Sequence, residues 1–118
     1  MPAKEGAYTP PPEVYQAGST TYGRLFQESA SLNSERTALI EGVRSRSYAE
    51  LNERSDLMAR VLLDSGLDRG DRVALLTRNC IEFVEVELAA AKIGVISVNL
   101  NWRQTPAELA HCVCLTEP

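Results

Sequence analysis

Apolar and polar positions follow helical and strand periods from about Thr20 to the end of the chain. The first predicted helix carries one apolar and small-residue face, made of Tyr22, Leu25, Phe26, Ser29 and Ala30. The β-branched and apolar run 37–40 then predicts a strand, and Glu41-Gly42 predicts a turn. Residues 43–47 predict an antiparallel partner strand, so this part of the chain predicts a helix followed by a hairpin.

Ser47 opens the clearest helix, because Ser47 and Glu50 have the spacing of a capping box. Its predicted buried side carries Leu51, Met58, Val61 and Leu62. Its opposite side carries Glu53, Asp56, Arg60 and Asp64, and Asp56 and Arg60 have the i, i+4 spacing of an ion pair. Gly66 lies where a left-handed C-cap is expected.

The second half alternates strands with helices. Residues 68–71 predict a turn, and the unbroken apolar run 73–76 predicts a strand that is covered on both faces. Asn79 is the predicted cap of a helix over 80–93 that stops at Gly94, and 95–98 predict another short strand. A second capping box, Thr105 to Glu108 with Pro106 at the first helical position, opens a predicted helix over 106–115.

The resulting order is helix, hairpin, helix, strand, helix, strand, helix. Strands joined by helical crossovers are parallel, so the predicted fold class is α/β: an antiparallel hairpin followed by parallel strands with crossover helices, in an incomplete sheet. Two parts are expected. Residues 1–19, with Pro10-Pro11-Pro12, predict an extended leader that lies across a surface or is disordered, and residues 20–118 predict one α/β unit.

The predicted helix over 80–93 is unusually apolar. Glu82, Glu85 and Lys92 form one narrow polar stripe, and apolar side chains cover most of the rest. A helix of this composition is normally buried inside something larger. Glu87 lies away from the stripe and has two interpretations: an ion pair with another part of the protein, or partial exposure at the margin of the sheet.

Composition narrows the function classes. The chain has 118 residues and a net charge of −4. It contains no cluster of Lys and Arg, which disfavours nucleic acid and anionic membrane surfaces as partners. No window approaches the roughly 18 apolar residues of a membrane span. With three cysteines and no secretory signal, the expected location is the cytoplasm with reduced thiols.

The residues with reactive side chains do not form a recognisable site. Cys112 and Cys114 could be a metal or redox pair, but C-x-C without a second ligand pair favours a packing role. His111 has no Ser or Asp arranged beside it for nucleophilic catalysis. Gly66 and Gly70 precede a strand, whereas a phosphate-binding turn follows one and opens a helix. The sequence therefore predicts no catalytic, cofactor-binding or metal-binding residue.

Two stretches resemble the amino-terminal part of the adenylate-forming (AMP-binding) superfamily. Residues 46–55, followed by 70–74, are similar to that family's Ser/Thr-Tyr-x-Glu-Leu helix opening and the strand after it. Residues 89–101 resemble its Lys-x-Gly-Ala helix end and following strand, and Asn79, Glu82 and Phe83 match its Asn-x-x-Glu-Phe pattern. The stretch 99–109 looks most like fatty-acyl or aryl CoA ligases.

The resemblance implies the amino-terminal portion of an acyl-CoA synthetase. Such enzymes join a carboxylic acid to ATP, release pyrophosphate and pass the acyl group to CoA. ATP, Mg²⁺ and CoA are thus implied for the full-length parent. The family's Gly/Ser/Thr-rich phosphate loop would follow Pro118, so the 118-residue chain is expected to be inactive without the rest of the parent enzyme as its partner. The alternative is a non-catalytic interaction module that uses the open sheet edge, and a homodimer is also possible.

Overall fold

The computed structural model describes residues 20–118, and the predicted leader over 1–19 lies outside the described residues. The predicted order of elements is confirmed, and their bounds are as follows: α1 Tyr22–Leu32, β1 Thr37–Glu41, β2 Arg44–Ser47, α2 Tyr48–Asp64, β3 Arg72–Leu76, α3 Ile81–Ile93, β4 Ile96–Leu100 and α4 Pro106–Thr116. No helix in this part of the chain is both long and apolar enough to cross a bilayer.

The strands form two separate sheets of two strands each within residues 20–118. β1 and β2 are antiparallel and are joined by a tight turn in which Gly42 has a φ of 59°, a conformation that favours glycine. β3 and β4 are parallel, in a register that pairs Arg72 with Ile96 and Leu76 with Leu100. The predicted α/β class, with a hairpin, a parallel pair and an incomplete sheet, is confirmed.

The capping boxes form as predicted. The Ser47 hydroxyl accepts from the Glu50 amide at 3.1 Å, and the Glu50 carboxylate accepts from the Ser47 amide at 2.8 Å. Thr105 and Glu108 repeat the arrangement at the start of α4, where the Thr105 amide lowers the pKa of the Glu108 carboxyl. At the other end of α2, Gly66 has a φ of 91°, and its amide donates to the Leu63 carbonyl, which ends the helix.

The predicted cap of α3 is wrong. The N-cap residue is Cys80 rather than Asn79, and its side chain makes no capping hydrogen bond. Instead, the Glu41 carboxylate at the end of β1 accepts from the Ile81 amide at 3.2 Å. A carboxylate near a helix N-terminus is favourable for the helix dipole. Because this partner lies 40 residues earlier in the chain, no local pattern indicates it.

The prediction that β3 is covered on both faces is also wrong for the described residues. Leu76, the last residue of β3, is 52% exposed, and Ile96, the first residue of β4, is 53% exposed. α3 and α4 both contact β4, and these contacts leave Leu76 and Ile96 about half exposed. The strand pattern 95–98 is shifted too, because β4 begins at Ile96 while Val95 is buried just before it.

The core lies where α1, α2 and α3 pack together. Its buried apolar side chains are mostly small ones on α3 and its neighbours: Ala30, Leu51, Ala59, Ile81, Leu88, Ala89, Ala90 and Val95. At the crossing of α1 and α3, a Cβ atom on Gly23 would lie 2.8 Å from the Lys92 Cα atom. Glycine at this position therefore lets the two helix backbones approach closely.

Candidate functional site

Two side chains of the polar stripe of α3, those of Glu85 and Lys92, are buried against neighbouring elements, and that of Glu82 is partly exposed beside the hairpin. Glu85 is 2% exposed, so its carboxylate is buried. The Nε atom of Arg54 on α2 donates to Glu85 Oε1 at 2.5 Å. Arg46 of β2 places its Nε atom 3.7 Å from the same oxygen. The hydrogen bond to Glu85 raises the pKa of Arg54. The buried carboxylate is thus hydrogen-bonded to Arg54 and forms a longer ion pair with Arg46.

Lys92 is the second buried charge of α3, with a side chain that is only 5% exposed. Its ammonium group donates to Asn52 Oδ1 at 2.9 Å, to Ser55 Oγ at 2.7 Å and to Asp56 Oδ1 at 2.6 Å. It also lies 5.7 Å from the centre of the Phe26 ring of α1. One lysine thus connects three helices.

The ion pairs on α2 differ from the predicted one. Asp56 pairs with Lys92 of α3, and Arg60 pairs instead with Asp64 at 3.1 Å. The sequence pattern indicated the pair Asp56–Arg60 because both residues lie on one helix face. Asp56 instead pairs with Lys92, because burying the ammonium group of Lys92 without a negative partner would be costly.

The third contact of the stripe joins α3 to the hairpin. Arg44 of β2 donates to both carboxylate oxygens of Glu82, at 2.6 and 3.1 Å, and also pairs with Glu41. This hydrogen bonding lowers the pKa of Glu82 to about 2, and that of Arg44 is raised by its two carboxylate partners. All three residues of the polar stripe are therefore engaged in structural ion pairs, and none is positioned as a nucleophile or base.

A different cluster lies at the carboxyl ends of the parallel strands. Arg78 follows β3, and its guanidinium carbon lies 4.4 Å from the centre of the Trp102 ring, which follows β4. Arg103 lies over the same ring at 5.1 Å. We call these three residues the arginine–tryptophan cluster. In open α/β sheets, ligands bind outside the carboxyl ends of the strands.

The loop that carries the cluster is ordered by its own side chains. Asn101 Oδ1 accepts from the Arg103 amide at 3.0 Å, and Gln104 Oε1 accepts from the Asn101 amide at 3.3 Å. The ion pairs described within 20–118 use other arginines: Arg24, Arg44, Arg46, Arg54, Arg60 and Arg72. Two guanidinium groups beside an exposed indole form a surface suited to an anion attached to a planar ring.

Sequence reasoning missed this cluster, although it carried a signal. Arg78 and Trp102 lie 24 residues apart, and only the parallel pairing of β3 and β4 brings them together. The signal is Arg78 after one predicted strand and Trp102-Arg103 after the next. Because the carboxyl ends of parallel strands lie at the same edge of a sheet, this pattern predicts that the three residues lie close together.

The other residues considered from the sequence lie apart. Cys80 and Cys112 are partly buried and Cys114 is exposed, and no group of three potential metal ligands occurs in residues 20–118. His111 is exposed on α4. Glu87 accepts a hydrogen bond from Asn99 Nδ2 of β4 at 2.5 Å, so its partner is an amide within this chain.

Gly66 and Gly70 both have a positive φ and lie in the connection between α2 and β3. The Gly70 amide donates to the Gly94 carbonyl at 2.9 Å, which fixes the turn before β3 to the end of α3. Neither glycine precedes a helix that could bind phosphate at its N-terminus.

The chain matches the family of AMP-binding enzymes over residues 26–118. It is 38% identical over 87 residues to 3-oxocholest-4-en-26-oate–CoA ligase from Rhodococcus rhodochrous, which covers 74% of this chain and 16% of that protein. It is 39% identical over 97 residues to the acyl-CoA ligase cnsG from Penicillium expansum, covering 80% and 20%. The chain thus spans at most a fifth of the length of these relatives.

Solved structures show the same arrangement. The N-terminal subdomain of NpsA from Klebsiella oxytoca aligns with a TM-score of 0.80 and 28% identity, covering 82% of this chain and 26% of that one. A fatty acyl CoA synthetase from Mycobacterium tuberculosis aligns with a TM-score of 0.79 and 30% identity, covering 81% and 20%. The hairpin, helices and parallel pair described above are therefore a substructure found within longer adenylating proteins.

The buried contact of Glu85 predicts an unequal response to two similar substitutions. Glu85→Gln removes the charge that holds Arg54 and Arg46, and should lower the free energy of unfolding by about 1–3 kcal/mol. Glu28→Gln on α1 is the matched control, because Glu28 pairs with Arg24 at an exposed site, and such pairs contribute at most about 1 kcal/mol. Urea titration of both variants measures the difference, and equal losses would contradict the role of Glu85.

The low pKa of Glu82 predicts a loss of stability in acid. A carboxyl group whose pKa falls from 4.5 to about 2 on folding contributes stability above pH 4.5 that is lost as pH falls toward 2. Glu82→Gln should therefore reduce the difference between the free energy of unfolding at pH 4.5 and that at about pH 2. Urea unfolding of both proteins across this range tests it, and an unchanged pH dependence in the variant would exclude the Arg44–Glu82 pair as a cause.

Proposed function

The chain belongs to the AMP-binding enzyme family, and on that premise we propose that these 118 residues are the amino-terminal part of an ATP-dependent acyl-CoA synthetase. The observation that carries the proposal is the family match over residues 26–118. Relatives named acyl-CoA ligases support it, at 38–39% identity over most of this chain. The substrate would be a carboxylic acid, with the cytoplasm as the expected location.

The proposed reaction activates a poor electrophile. The carboxylate would attack the α-phosphorus of ATP, forming an acyl-adenylate and releasing pyrophosphate, and the CoA thiol would then displace AMP. Mg²⁺ would offset phosphate charge during the first transfer. Glu82, Glu85 and Lys92 of α3 are engaged in structural ion pairs, and the reacting groups of this enzyme would come from other parts of the parent.

We assign the arginine–tryptophan cluster the role of a phosphate contact. Both ATP and CoA carry phosphates and a planar adenine, which match guanidinium groups and an exposed indole. Arg78 and Arg103 lie at the carboxyl edge of the parallel pair, where ligands bind in α/β folds. The cluster would bind and orient a substrate without taking part in bond formation.

The first prediction of this proposal concerns activity. The pure 118-residue chain should show no carboxylate-dependent exchange between ATP and pyrophosphate, because it spans at most a fifth of the length of its relatives and would lack most of the enzyme. A longer polypeptide that contains these residues together with the rest of the proposed parent enzyme, called here the extended polypeptide, should show the exchange. Radiolabelled pyrophosphate incorporation measures both, with a reaction lacking carboxylic acid as control. Exchange by the 118-residue chain alone would contradict its proposed inactivity.

A second prediction concerns the cluster in the extended polypeptide. Arg103→Met and Arg78→Met should each raise KM for ATP or for CoA by about tenfold or more, as expected for a lost hydrogen bond to a charged group. KM for the carboxylic acid should stay unchanged. Arg24→Met is the control, since Arg24 forms an exposed pair on α1. Wild-type KM values for both nucleotides in the two cluster variants would refute the assignment.

One observation favours the alternative of a non-catalytic interaction module. Within residues 20–118, each strand of the β3–β4 sheet has a single hydrogen-bonded neighbour, so each has an outer edge that can accept another strand. A module of this kind would form a defined assembly through that edge and unfold cooperatively on its own. Sedimentation of the 118-residue chain distinguishes such an assembly from open-ended association.

A further inference from the structure

We infer that Gln104 is a positioning residue of the arginine–tryptophan cluster, because its side chain fixes the turn that presents Trp102 and Arg103. The inference rests on the proposed function, since a positioning role needs a ligand at the cluster. Gln104 acts on that ligand only through the residues that it holds in place.

A tight turn follows β4 and has two cluster residues at its centre. The Gln104 amide donates to the Asn101 carbonyl at 3.0 Å, which is the closing hydrogen bond of a four-residue turn over 101–104. Trp102 and Arg103 are the two central residues of this turn. The directions of both side chains therefore depend on the shape of the turn and on its position beside the sheet.

The side chain of Gln104 fixes this turn at two further points. Its Oε1 atom accepts from the Asn101 amide at 3.3 Å, so Gln104 bonds to both backbone groups of Asn101. Its Nε2 atom donates to the Sγ atom of Cys112 at 3.8 Å. A thiol is a weak acceptor, but this contact connects the turn to a second element, α4.

Burial within the turn agrees with this role. Asn101, Trp102 and Arg103 are exposed, whereas Gln104 is partly buried beside α4. Exposed loops are mobile unless contacts to other elements fix them. Side chains that are ordered before a ligand arrives lose less conformational entropy on binding it. Gln104 thus lowers the cost at which the cluster contacts a phosphate or an adenine.

The cluster also joins two loops, which makes it sensitive to the position of the turn. Arg78 comes from the loop after β3, and its guanidinium carbon lies 4.4 Å from the centre of the Trp102 ring. Arg103 reaches the same ring from within the turn, at 5.1 Å. A displaced turn would separate Trp102 from Arg78, so the two guanidinium groups act on one ligand only while the turn is held.

Steady-state kinetics of the extended polypeptide test the inference. Gln104→Met keeps the length of the side chain and removes both of its hydrogen bonds. It should raise the same KM that Arg103→Met raises, for ATP or for CoA, by about three- to tenfold, as expected for lost hydrogen bonds between neutral groups, and leave kcat unchanged. Gln27→Met is the matched control, because Gln27 is exposed on α1, and it should leave both KM values unchanged.

A double variant separates positioning from an independent effect on the protein. Because Gln104 acts through the turn that carries Arg103, the two substitutions share one cause of weaker binding. The rise in KM for the double variant, Arg103→Met with Gln104→Met, should therefore be smaller than the product of the two separate rises. A rise equal to that product would overturn the inference.

Trp102 provides a second readout that needs no activity, since it is the single tryptophan of the 118 residues. In the 118-residue chain, Gln104→Met should lower the fluorescence anisotropy of the indole, because the ring rotates more freely, and Gln27→Met should not. Unchanged anisotropy, or a wild-type KM in Gln104→Met where Arg103→Met raises it, would overturn the inference and leave the proposed function standing. Wild-type KM values in Arg103→Met and Arg78→Met would instead count against the proposed phosphate contact, and lowered anisotropy would still support the ordering of the turn by Gln104.

Discussion

The structure depends on the partners of three polar side chains on one apolar helix. Burying a charge is costly unless it is paired and hydrogen-bonded, so Glu85 and Lys92 restrict the neighbours that α3 can have. Glu85 requires guanidinium groups from α2 and β2, and Lys92 requires the oxygens of α2. Apolar packing alone tolerates several arrangements of similar volume, whereas a buried charge needs its partner at a particular position.

The position of α3 in turn sets the carboxyl edge of the parallel strands. α3 is the crossover between β3 and β4, and Gly94 ends it with a φ of 76° so that β4 can start. The Gly70 amide bonds to the Gly94 carbonyl, which aligns the starts of the two strands. Their ends then bring Arg78 and Trp102 together. The polar stripe of α3 thus acts on the proposed phosphate contact indirectly, by fixing the strands that carry it.

Sequence reasoning predicted what depends on neighbours in the chain. The order of elements, both capping boxes and the glycine after α2 are local signals, and all are confirmed. What it missed depends on partners far apart in sequence: Glu41 at the start of α3, Glu85 between two arginines, and the arginine–tryptophan cluster. The apolar run of β3 predicted a strand that is covered on both faces. An apolar pattern shows only that a strand is suited to burial, and within residues 20–118 the strand is buried only in part.

The polar stripe of α3 holds the helices in place, and a substitution of Lys92 is the most sensitive test of this role. Lys92→Met keeps the volume of the side chain but removes the ammonium group that contacts Asn52, Ser55 and Asp56. Native-state hydrogen exchange should then show amides of α1 and α2 exchanging faster together, by about tenfold or more, as expected for lost hydrogen bonds to a charged group. Unchanged protection of both helices in this variant would contradict this role.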